Sequence, residues 1–121
     1  MEMFERAQIG KMSLRNRLAM APMGTNGLTD IDCGYGRRLI DFYEARAKGG
    51  LGMVMTGAAV TNVEMEGGIA HFLPRIDTPA YMGRLSELAD AMHNHDCKLV
   101  LQLTAGFGRV NFLENNPIPP I

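Results

Sequence analysis

Three short apolar runs recur along the chain, and each closes on a cluster of small or amide-bearing residues. They are Leu18-Ala19-Met20-Ala21 before Pro22-Met23-Gly24-Thr25, Met53-Val54-Met55 before Thr56-Gly57-Ala58, and Leu99-Val100-Leu101 before Gln102-Leu103-Thr104-Ala105-Gly106. Unbroken apolar runs of this length read as strands buried on both faces, as in a parallel sheet. Between them the period changes. Leu39, Phe42, Tyr43 and Ala47 share one face of a helix expected over 38–48, stopped by Gly49-Gly50, with Lys48 in the last turn where it complements the helix dipole. The second strand, about 51–56, follows at once. Met82, Leu85, Ala89 and Met92 form another stripe, with Leu88 beside it, in a helix expected to open on Thr78 as N-cap and Pro79 as first residue and to end near His95-Asp96. The alternation predicts an α/β fold with parallel strands whose carboxyl ends open on one side, where barrels and open sheets place their ligands.

The connecting segments carry turn chemistry. The stretch 10–17 reads as a turn and short strand feeding the first buried strand. The stretch 26–36, rich in Gly, Asp and Asn, reads as a mobile loop, and 62–78 as a longer one containing Glu64-Met65-Glu66-Gly67-Gly68. The tail Asn115-Asn116-Pro117-Ile118-Pro119-Pro120-Ile121 suits neither helix nor sheet interior. About three strands and two helices leave much apolar surface uncovered. Residues 1–121 are therefore expected to be the N-terminal part of a larger domain, truncated before completion; a full (β/α)8 barrel takes about 250 residues.

Composition narrows the chemistry. Twelve basic residues against thirteen acidic ones, with no basic run, speak against nucleic acid as a partner. No apolar stretch reaches membrane-spanning length, and Met1-Glu2-Met3-Phe4-Glu5-Arg6 lacks a signal-peptide pattern, so a cytoplasmic protein without membrane contact is expected. Cys33 and Cys97 form no C-x-x-C and read as reduced thiols; a cysteine-held cluster needs four ligands. No metal site is expected. His93 and His95, two apart, do not share a helix face and read as helix-end residues meeting carbonyls, while His71 is a lone loop histidine. Gly34-Tyr35-Gly36-Arg37-Arg38-Leu39 imitates the start of a dinucleotide fingerprint, but it lacks the third glycine and a preceding strand. Tyr35 reads as a loop tyrosine, Arg37-Arg38 as a solvated helix start, and the ten methionines as adaptable core filling.

Taken in order, the motifs resemble a known family. Leu14-Arg15-Asn16-Arg17, then Ala21-Pro22-Met23, then Phe42-Tyr43-Glu44-Ala45-Arg46-Ala47-Lys48-Gly49-Gly50, Gly52 and the run to Thr56-Gly57 resemble the N-terminal part of the old yellow enzyme (NADH:flavin oxidoreductase) family. Met65-Glu66-Gly67-Gly68 and Gln102-Leu103-Thr104-Ala105-Gly106-Phe107-Gly108-Arg109 look closest to its branch of 2,4-dienoyl-CoA reductases, 2-enoate reductases and bile-acid flavoproteins. The resemblance implies the front of an FMN-binding TIM (β/α)8 barrel. It implies flavin contacts from Ala21, Pro22, Met23 and Gly24, from the Gly57 backbone, and from the Gln102 amide at the pyrimidine edge, which an amide suits by offering both donor and acceptor. Many members carry Thr or Cys just after Pro-Met; here Gly24 stands there and Thr25 follows. Either Thr25 reaches the flavin through a one-residue shift or that contact is missing. The catalytic residues, by the same resemblance, are expected beyond residue 121.

Without the resemblance, Ala21-Pro22-Met23 is a strand end with a turn-forming proline, Gly57 is close packing, and Gln102 is as readily a satisfied core amide as a ligand contact. The three endings in matching order are what favour flavin. The implied activity is an FMN-dependent ene-reductase, passing a hydride from NAD(P)H through flavin to an activated C=C bond of an unsaturated carbonyl or thioester. The alternatives are a flavin barrel dehydrogenase or demethylase, or an inactive truncated fragment. A 4Fe-4S cluster and FAD belong to the branch's large members and are candidates for a full-length protein only. An oligomer is compatible with the sequence.

Overall fold

In the computed structural model, which describes residues 2–66 and 72–104, a hairpin leads into a three-stranded parallel sheet. Strands β1 (Ala7–Ile9) and β2 (Met12–Leu14) pair antiparallel around Gly10, whose φ of +57° suits the tight turn between them. Then follow β3 (Ala19–Met20), α1 (Arg37–Lys48), β4 (Met53–Val60), the short α2 (Val63–Glu66), a 3-10 turn (Pro79–Tyr81), α3 (Met82–His93) and β5 (Lys98–Thr104). The sheet order is β3-β4-β5, so each neighbour is the next in sequence, as in a barrel wall. Ala19 faces Met53 and Met20 faces Val54, while Val54 faces Leu99 and Met55 faces Val100.

The core lies on one face of this sheet. Val54 packs there with Leu39, Ile40, Tyr43 and Ala47 of α1, Leu88 and Met92 of α3, Cys97 and Tyr35, and Met20 and Leu99 pack against its edge. Strand alternation sends Ala19, Met53, Met55 and Val100 to the other face, where none of them is fully buried. Both helices therefore cover the same side, as right-handed crossovers require.

Several elements differ from the sequence expectation. Strand β4 runs on through Gly57 to Val60 instead of ending at Thr56, because Val60 gains partners on both sides: its N–H donates to Pro74 O (2.8 Å) and its carbonyl accepts from Ile76 N–H (3.0 Å). The expected loop 62–78 contains α2 and this bridge. The helix expected from Pro79 begins as a 3-10 turn; Thr78 has extended N-cap geometry but no side-chain capping bond. Met82, placed on the core stripe by periodicity, is 64% exposed, while Leu88 and Met92 are buried. Tyr35, expected in a loop, is 0% exposed and belongs to the core. Its segment 26–36 folds into successive turns, with Leu28 N–H to Thr25 O (3.1 Å) and Cys33 N–H to Asp30 O (2.9 Å). The His95 ring meets the Glu44 carboxylate of α1 at 3.1 Å instead of helix-end carbonyls, and that bond holds Glu44 below the usual carboxylate range.

Cys33 and Cys97 form no disulfide, and burial pushes the Cys97 thiol up. Among the described residues no helix is long and apolar enough to cross a membrane.

Candidate functional site

The carboxyl ends of β3, β4 and β5 lie side by side, and what they present is mostly backbone. Ala21, Pro22, Met23 and Gly24, leaving β3, are all exposed. Gly57 of β4 is buried against them: a Cβ at this position would overlap the Met23 carbonyl and crowd Gly24 Cα. Glycine here lets one strand end press directly on the next. Gln102 of β5 stands opposite Ala58. The structure thus brings Met23, Gly24, Gly57 and Gln102 into one row.

A β-bulge shapes that row. Met55 pairs with Val100 and Ala58 with Gln102, so Thr56 and Gly57 together oppose the single residue Leu101. Side chains satisfy the backbone groups that the bulge removes from the ladder. The Gly57 N–H donates to the Tyr43 hydroxyl (3.0 Å), and the Gln102 N–H donates to Thr56 Oγ1 (3.3 Å). Tyr43, Thr56 and Tyr35 are all 0% exposed, so three hydroxyls sit directly behind the bulge. Burial pushes the Tyr35 phenol up to about 12, with the Thr56 side chain pulling the other way; the Tyr35 hydroxyl lies near Thr56 without full hydrogen-bond geometry.

Of the two sequence readings of Gln102, a satisfied core amide or a ligand contact, the first does not hold: the residue is exposed and its carboxamide bonds to no described residue. The reason is the open inner face, which imposes no desolvation cost. Thr25 is 6% exposed and its Oγ1 has no partner among the described residues.

From sequence Glu66 enters only as part of the Met65-Glu66-Gly67-Gly68 motif, with no role of its own. It is 5% exposed, and its carboxylate accepts the Thr104 hydroxyl at 2.6 Å, while Thr61 Oγ1 donates to the Thr104 carbonyl at 2.7 Å. Thr104 lies two residues beyond Gln102 and shares its face by alternation, which was the available signal. Gly67, Gly68, His71 and the motif Ala105-Gly106-Phe107-Gly108-Arg109, like the tail 115–121, lie outside the described residues.

The loops following β3 and β4 rim the same end; the Arg75 N–H of the second donates to the Cys33 carbonyl of the first (2.7 Å), and the first is tied further to the start of α3. Arg84 donates to Asp30 (3.1 Å) and Asp32 (2.9 Å), and the Tyr81 hydroxyl donates to the Asp32 carbonyl (2.8 Å). The Gly34 N–H, then Arg84, hold the Asp32 carboxyl below the usual range. Arg75 grips Asp77 through two bonds of 3.0 and 2.7 Å, which lower Asp77. Among the described residues no group of three or more His, Cys, Asp or Glu side chains is placed to hold a metal.

The arrangement fits a flat heteroaromatic ligand with a donor–acceptor edge. Exposed backbone at 21–24, small residues, the Gln102 carboxamide and the buried Thr25 hydroxyl, both without a partner among the described residues, suit such a ligand.

Known proteins resemble the chain throughout its length. It matches the NADH:flavin oxidoreductase / NADH oxidase family over residues 2–120. Cinnamate reductase of Clostridium sporogenes is 36% identical over 111 residues, which are 90% of this chain and 17% of that protein. NADH oxidase of Thermoanaerobacter brockii is 37% identical over 101 residues, covering 84% of this chain and 15% of that one. Morphinone reductase in complex with tetrahydroNAD superposes with a TM-score of 0.75 at 29% identity, over 90% of this chain and 28% of the other. The chain thus spans 15–17% of these two curated relatives.

Proposed function

Because the chain belongs to the NADH:flavin oxidoreductase / NADH oxidase family, we propose that residues 1–121 are the front of an FMN-binding (β/α)8 barrel and supply one edge of its flavin site. The observation that carries this reading is the direct backbone contact between the β3 and β4 endings at Met23 and Gly57, with the Gln102 amide in the same row. When bound, FMN supplies the redox chemistry, taking a hydride from NAD(P)H and delivering it to an activated C=C bond of an unsaturated carbonyl or thioester.

The chain's own residues bind and orient. Ala21, Pro22, Met23 and Gly24 form a low shelf whose exposed backbone a flat ring can approach. Gly57 keeps that shelf close to β4. The Gln102 carboxamide offers one donor and one acceptor to a ring edge bearing an N–H and a carbonyl. Thr25, whose buried hydroxyl has no partner among the described residues, provides one more donor beside the shelf. The groups that polarise and protonate the substrate belong to strands beyond residue 121, as do any FAD or 4Fe-4S cluster of a longer protein.

The test is visible absorption and FMN titration of the chain continued through the whole barrel. Flavin bands are expected, with affinity reduced about tenfold by Gln102→Leu, since a lost hydrogen bond to a polar ligand edge carries that weight. A barrel that takes up no FMN after reconstitution would return the strand endings to ordinary packing.

A further inference from the structure

Resting on the flavin reading, we propose that Tyr43 is a positioning residue: its bond from the Gly57 N–H lets helix α1 set the β4 bulge, and with it the spacing between the Gly57 backbone and Gln102.

The argument begins with an accounting of backbone groups. A bulge leaves a strand N–H out of the ladder, and a buried N–H must find an acceptor. The acceptor for Gly57 comes from the helix side, fourteen residues earlier in sequence. Tyr43 is 0% exposed, and its ring stands edge-on to Phe42 with centroids 5.2 Å apart, so the hydroxyl has little freedom to follow a shifted strand. On the other side Thr56 Oγ1 takes the Gln102 N–H. The two residues of the bulge are thus pinned in opposite directions, one to α1 and one to β5.

Removing the Tyr43 hydroxyl leaves the Gly57 N–H buried without a partner. The strand relieves this by regularising the bulge, which slips register and turns the residues after it to the opposite face, or by lifting Gly57 toward solvent. Either movement changes the contact with the Met23 carbonyl and the place of Gln102. Tyr35 provides the comparison, being equally buried and aromatic, with a hydroxyl that has no hydrogen-bond partner among the described residues.

The experiment uses the complete barrel, wild type and Tyr43→Phe, Tyr35→Phe, Thr56→Val and Thr56→Ser. It reads FMN dissociation, the band positions and midpoint potential of bound flavin at saturation, and amide exchange at Gly57. Tyr43→Phe is expected to weaken FMN about tenfold, shift the bands and potential, and speed exchange at Gly57. Thr56→Val should reproduce the spectral shift from the other side of the bulge and Thr56→Ser should restore it, which keeps the test open if Tyr43→Phe folds poorly. Tyr35→Phe should keep wild-type spectra. Unchanged bands, potential and exchange in Tyr43→Phe, or equal shifts in Tyr35→Phe, overturn the proposal. A wild-type barrel that binds no FMN overturns the flavin reading instead, and Gly57 exchange then still judges the bulge.

Discussion

A methyl group at position 57 has nowhere to go. The atoms it would meet, Met23 O and Gly24 Cα, are backbone, so relief requires moving the chain that leaves β3. Gly57→Ala is expected to cost about 1–3 kcal/mol, the usual range for overpacking, read as a lower denaturation midpoint, and to abolish FMN uptake by the barrel. Sequence offered close packing or ligand approach as rival explanations for this glycine. The geometry supports the first directly, and that packing is what brings the proposed shelf into place. Tyr35 gives a pH signature. Burial raises its phenol from 10.0 to about 12, so the contribution to stability is full below pH 10 and is lost as pH rises through the folded value near 12. Two units correspond to about 3 kcal/mol. Denaturation curves above pH 10 should therefore show an alkaline loss that Tyr35→Phe removes. At neutral pH the same variant should be close to neutral, because the deleted hydroxyl has no hydrogen-bond partner among the described residues.

At the scale of elements, the loop after β3 is held to the start of α3 through Asp30, Asp32, Arg84 and Tyr81. The charged groups are exposed, with side chains 39–53% accessible, so their net effect on global stability is small, under about 1 kcal/mol. Arg84→Ala is expected to leave the denaturation midpoint nearly unchanged while amides in 30–36 exchange faster, the difference narrowing at high salt. Unchanged exchange would mean that the buried Tyr35 side chain and the Tyr81 bond to the Asp32 carbonyl hold this loop without Arg84. The clasp could not be read from sequence, since Arg84 and its acceptors are 52 and 54 positions apart. Helix α1 was legible to within one residue, because its apolar stripe and Gly49-Gly50 stop are local. Helix α3 was legible only beyond Tyr81. Of the predicted stripe, Met82 is the first residue of α3 and stays exposed, while Met92 near its end is buried together with Leu88.

Across the whole molecule, one face of the sheet is covered and the other open. That asymmetry gives the strand ends their chemistry: the face carrying Met53, Met55, Val100 and Gln102 is the interior of the proposed barrel, and the helix face is its outer wall. An apolar groove lined by Met82, Leu85, Ala89, Leu99 and Leu101 runs beside β5 on the outer side, where a right-handed crossover lays the helix of the next unit. The sequence by itself determined the strand–helix alternation, the parallel sheet and the family, because period, breakers and ordered motifs are properties of neighbours along the chain. Only the tertiary structure decided that β4 carries a bulge, that Tyr43 and Thr56 satisfy it, that Tyr35 is core, that Gln102 is exposed and that Glu66 is buried. Each of these depends on which groups distant in the chain pack together or come within hydrogen-bond reach, about 3 Å, and no local pattern encodes that proximity.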